Sequence, residues 1–128
     1  MSYYFSRIVD LPFDQAVAKA IGELKKEGFG VLTDIDVKAT LKKKLDVDFR
    51  QYRILGACNP PFAHKALEAE DKIGLMLPCN VIVQETADGT VEVAAIDPVA
   101  SMQAIRNDSL GEVATQVRDK LRKVIESL

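Results

Sequence analysis

The chain has 128 residues, 48% of them hydrophobic and 28% charged, with 7 Gly and 5 Pro. That balance fits one globular domain over residues 1–128 and argues against a disordered, collagen-like or coiled-coil chain; such a length buries roughly two-thirds of its unfolded surface, enough for a core without disulfides or metal. A net charge of −2, from 17 basic and 19 acidic residues, removes the electrostatic signature of nucleic-acid binding. Taken in chain order, Tyr3 to Val9 alternates as a first strand, with Tyr3, Phe5 and Arg7 on one face. Pro12 at the first helical position and Asp14 in the first turn open a helix, and Phe13, Val17, Ala20, Ile21 and Leu24 form its stripe. Gly28 is its natural stop. Phe29 to Ile35 reads as a second strand. Asp36 then caps a short helix over Val37 to Leu45, with Val37, Leu41 and Leu45 as its apolar positions and Lys42, Lys43 and Lys44 as a solvated face.

Gln51 to Cys58 is a third strand, followed by Asn59 as N-cap and Pro60 at the first position of a third helix. That helix runs to about Glu70 and is expected to bury Ala63, Ala66 and Leu67. Ile73 to Leu77 is apolar but too short to assign. Cys79 to Glu85 and Val91 to Ile96 are the fourth and fifth strands, joined by the hairpin signal Asp88-Gly89. After a connector over Val99 to Asn107, Asp108 or Ser109 caps the last helix. Its stripe is Leu110, Val113, Val117, Leu121, Val124, Ile125 and Leu128.

Met1 to Arg7 lacks the basic-then-apolar pattern of a signal peptide, and no apolar run approaches the roughly 20 residues of a membrane span. These features predict a cytoplasmic protein with no membrane contact. Cys58 and Cys79 are the only cysteines, form no CxxC and do not match a zinc-ribbon spacing. The acidic pairs Asp34/Asp36 and Asp46/Asp48 lie in or beside turns and lack the further ligands a metal needs. No metal site is predicted.

The order strand, helix, four strands, helix, with the hairpin forcing antiparallel pairing, predicts an α+β fold. Its simplest form is a curved, mostly antiparallel five-stranded sheet with the helices on one face, β-α-β4-α, and two short inserted helices. Val81, Ile82 and Val83 make the fourth strand apolar on both faces. Something is therefore expected to cover the far side, either a second subunit in a homodimer or a ligand.

One near-duplicated phrase stands out. Gly56-Ala57-Cys58-Asn59-Pro60 ends the third strand and Leu77-Pro78-Cys79-Asn80 begins the fourth. If those strands are antiparallel, Cys58 and Cys79 become neighbours at one sheet edge, with Cys58 just before a helix N-terminus that favours a thiolate. Gly-x-Cys-Asn-Pro, then Ala63, Ala66 and Leu67, then Gly74 to Leu77 with Pro78, Cys79, Asn80 and Val81, resembles the domain of unknown function 302 family. Lys26 to Phe29 and Asp97-Pro98 share the likeness. The resemblance implies a β-α-β4-α fold of the TATA-binding-protein or helix-grip type, commonly dimeric, and implies no established activity.

Three functional readings follow. The first is a non-catalytic module that binds a small molecule, with Cys58, Asn59, His64, Cys79 and Asn80 as polar anchors. Its cofactor is unassigned, and haem held by His64, the only histidine, is one variant. The second is a thiol redox protein with Cys58 as nucleophile and Cys79 as resolving thiol. The third is a homodimeric interaction protein. No P-loop, GxGxxG, HExxH or GxSxG motif supports an enzyme. For His64 the plain alternative is a surface helix residue near Glu68.

Overall fold

The computed structural model describes residues 2–128; Met1, where the expected domain begins, lies outside them. Five strands form one antiparallel sheet in the order β1-β5-β4-β3-β2, with β1 Tyr4–Val9, β2 Gly30–Asp36, β3 Tyr52–Cys58, β4 Cys79–Glu85 and β5 Val91–Ile96. The two N-terminal strands are therefore the two edges. Helix α1 (Phe13–Lys26) carries the chain from one edge to the other across a single face. The long helix α5 (Ser109–Glu126) packs beside α1 and over β1 and β5. The α+β architecture expected from the element order is the one observed.

Period-two alternation divides the sheet cleanly. Val9, Leu55, Ala57, Val81, Val83, Val91, Val93 and Ala95 point toward the helices, where Phe13, Val17, Ala20 and Leu24 of α1 and Val117, Leu121, Val124 and Ile125 of α5 complete the core. The opposite face carries an apolar row running Ala94, Ile82, Ile54 and Ile35 across four strands, and among the described residues no helix covers it. Tyr4, Ile8 and Ile35 on that side are 44%, 53% and 46% exposed.

Helix α1 stops as its sequence demands. Gly28 takes a φ of 87°, its N–H bonds to the Lys25 carbonyl, and the Phe29 N–H reaches back to the Leu24 carbonyl at 2.9 Å. This closes a Schellman turn on the orphan carbonyls. Helix α2 (Val37–Leu45) is capped by the Asp36 carboxylate, which accepts from the Ala39 N–H at 2.9 Å. It buries no residue, however, and Leu45 is 66% exposed. The expected stripe of Val37, Leu41 and Leu45 finds no full partner, because α2 lies at the β2–β3 margin of the sheet.

Three further expectations are corrected, and one stretch left open is assigned. In helix α3 (Pro60–Ala69) only Ala66 is buried, whereas Leu67 is 46% exposed. The unassigned stretch at Ile73 forms a 3₁₀ turn over Ile73–Met76. The connector contains a short helix α4 (Pro98–Ser101), whose N-terminus is capped by Asp97. Neither Asp108 nor Ser109 caps α5 with its side chain. Asn107 does so instead: its Oδ1 accepts from the Ser109 N–H at 3.0 Å, and its Nδ2 donates to the Ala69 carbonyl at 2.8 Å. One side chain thus ties the end of α3 to the start of α5.

Candidate functional site

The β3–β4 ladder sets Ala57 opposite Cys79, so Cys58 lies one residue beyond that pair. The two cysteines are free thiols that share the wall of one cavity of about 330 Å³. The cavity sits under α3 and α5, at the sheet end where β3 stops and β4 starts. Phe29, Phe62, Ala66, Leu77, Met102 and Val117 supply much of its apolar wall. A register shift between Val31 and Thr33 is the β-bulge that re-aims the edge strand here. The unpaired Leu32 at that shift lines the cavity while remaining 68% exposed.

Three of the expected anchors therefore come together. Asn59, the one buried polar side chain among the described residues, sits at the N-cap backbone position of α3 but does not cap it. Its Nδ2 donates instead to the Glu27 carbonyl at 3.1 Å, so the side chain caps the C-terminus of α1. Its Oδ1 has no hydrogen-bond partner among the described residues, which leaves one acceptor free at the cavity wall. Burial, with a smaller contribution from nearby Cys58, pushes the Cys79 thiol up to about 11. Cys79 is thus a neutral wall atom at ordinary pH. Stability that rests on that neutral thiol is fully present below the unfolded value of 9.0 and is lost as pH rises through about 11.

This gives a direct chemical expectation. In the native protein near pH 8, a disulfide reagent such as DTNB should modify the half-buried Cys58 first, and Cys79 should react only on unfolding. Mass spectrometry of the labelled peptides checks it, and equal labelling of both cysteines in the folded state would contradict it.

The other two expected anchors do not join the cavity. Asn80 alternates onto the uncovered sheet face, in a separate hollow with Tyr4, Tyr52 and Ile82, and meets Cys79 only along a smaller cleft at the end of β4. His64 is on the outer side of α3, with its side chain 76% exposed and Nε2 3.2 Å from Glu68. The imidazole is a surface group and takes no part in the cavity wall. Among the acidic pairs, Asp34 is held by a two-point contact to Arg53, which depresses its carboxyl below the usual range, and Asp36 is used as the α2 cap. No group of three or more potential metal ligands is assembled among the described residues.

Sequence reasoning missed two lysines. Lys65 of α3 and Lys120 of α5 bring their Nζ atoms to 5.6 and 6.0 Å from the centre of the Phe62 ring. They lie 55 residues apart in the sequence, and no local pattern links them.

The fold and cavity define a small α+β domain: an open antiparallel sheet with helices on one face and an apolar hollow at one sheet end. The family described as Domain of unknown function DUF302 matches residues 5–128, and the chain belongs to it. It is also similar to a solved structure, the crystal structure of an uncharacterized conserved protein DUF302 from Bacillus stearothermophilus. That likeness has a TM-score of 0.91 at 26% identity and covers 98% of each chain. No curated protein matches. Among the described residues no helix is long and apolar enough to cross a membrane.

Proposed function

We propose that this protein is a non-catalytic module that binds a small, largely apolar molecule in the cavity between α3, α5 and the β3–β4 sheet end. The observation that carries the reading is the cavity itself: about 330 Å³, walled by apolar side chains, with only Cys58, Cys79 and Asn59 as polar points. Ligand sites of about 300–1,000 Å³ share this character, a mainly apolar lining with a few convergent polar groups. In this reading the thiols enter as wall atoms, with burial holding Cys79 toward its neutral form. Free thiols this close together suit a reducing cytoplasm.

The test uses the neutral dye N-phenyl-1-naphthylamine. Its emission should rise with the wild-type protein. Ala66→Phe, which places a ring into the cavity from a position 3% exposed, should lower affinity at least tenfold. Ala63→Leu, from a half-buried lining position, is the milder companion if the first variant folds poorly. An unchanged affinity in a folded variant would remove the cavity as the site.

A second reading concerns the uncovered sheet face, whose apolar row of Ala94, Ile82, Ile54 and Ile35 suits burial against a second copy of the chain. Light scattering over a dilution series should give twice the chain mass, and Ile82→Lys should shift it to the monomer. A wild-type monomer at every concentration would end this reading.

A further inference from the structure

Resting on the cavity reading above, we propose that the ligand is an amphiphilic anion: a medium-length apolar chain ending in a carboxylate, with the chain in the cavity and the carboxylate held by Lys65 and Lys120 between α3 and α5. The cavity wall holds no charged group. Its polar points are two thiols and the Asn59 amide, one of whose N–H groups is committed to the Glu27 carbonyl. An ion placed there would lose its hydration without compensation. A charged end must therefore leave the cavity, and the surroundings of Phe62 decide its sign.

Phe62 is a half-buried wall residue, and both ammonium groups gather over its ring. Two nearby carboxylates have cationic partners, Asp119 with Arg118 and Glu27 with Lys123 at 3.5 Å, while Glu68 lies 3.2 Å from the exposed His64 imidazole. Lys65 and Lys120 make no ion pair among the described residues. Two cations on neighbouring helices, unpaired and facing one aromatic wall, form a receptor for negative charge. The exposed Leu32 and Leu67 add apolar surface continuous with the same cavity, as a chain-binding site requires.

Calorimetric titration of the full-length protein with octanoate, octan-1-ol and octylamine tests this. Octanoate should bind at least tenfold more tightly than octan-1-ol, and octylamine most weakly. Lengthening the carboxylate from hexanoate should tighten binding about fourfold per methylene until the cavity is full. The Lys65→Gln/Lys120→Gln double variant should bring octanoate down to the octan-1-ol affinity and leave octan-1-ol unchanged. If octan-1-ol binds the wild type as tightly as octanoate, the anionic assignment is wrong and the apolar cavity stands. If none of the three binds, the cavity reading falls with it.

Discussion

Leu121→Ala is expected to lower the unfolding free energy by about 3 kcal/mol, the middle of the range for emptying a buried leucine site. Leu121 is 0% exposed and belongs to the core cluster that includes Val17, Leu24, Val93 and Val124. Helix α5 is wedged against α1 on one side and against β1 and β5 on the other. Two layers already in register cannot close over the missing methyl groups, so most of the cavity cost should persist. Urea titration, with Leu75→Ala as the control, measures it. Leu75 is 84% exposed, and its truncation should stay within about 0.5 kcal/mol. A Leu121→Ala loss below about 1 kcal/mol would show that α5 can settle onto the sheet, against the rigid packing described.

Gly56→Val should be similarly damaging, at about 3 kcal/mol, but by overfilling. A Cβ built on Gly56 would collide with Thr33 Oγ1 and lie only 2.8 Å from Pro78 Cγ. Gly56 is in the middle of the phrase that precedes Cys58, opposite Thr33 where the β2 register shifts and opposite Asn80 on β4. Two chain segments close on this one backbone position from either side, and neither presents a long flexible side chain that could swing away. Thr33→Ala in the Gly56→Ala background should recover part of the loss by removing the hydroxyl contact, while the Pro78 contact remains. Melting temperatures of the single and double variants read the coupling directly. If Gly56→Ala melts with the wild type, the close approach is not a constraint on this fold.

The parts of the fold written in local pattern were legible from the sequence. The hairpin at Asp88-Gly89, the Gly28 stop and the Asp36 cap each depend on residues only a few positions apart, and each forms as expected. The strands β4 and β5 match their expected limits because their apolar runs are bounded by turn residues. Two of the failures were nonlocal. Asn59 carries every local mark of a helix N-cap, yet its amide is taken by the Glu27 carbonyl of a distant helix. Leu67 lies on the apolar side of α3 but finds no layer to cover it. For the candidate site, the paired cysteine phrases pointed to one sheet end, where both thiols line the same cavity, because antiparallel pairing follows from strand order. Asn80 followed Cys79 into the expected list although adjacent strand residues face opposite ways. Phe62, Met102 and the two lysines carry no sequence signal that separates them from ordinary helix residues.

The placement of β1 has a consequence for how the molecule comes into being. Tyr4 pairs with Ile96 and Val9 with Val91, so the earliest strand to leave the ribosome has no partner until most of the chain has been made. A nascent chain cannot complete its sheet progressively, because the loop that β1 must close runs from Val9 to Val91. Until β5 emerges, the strand edges and their apolar residues stay open to neighbouring chains. The interval between the synthesis of β1 and that of β5 is thus when this protein is most exposed to aggregation and most in need of a chaperone.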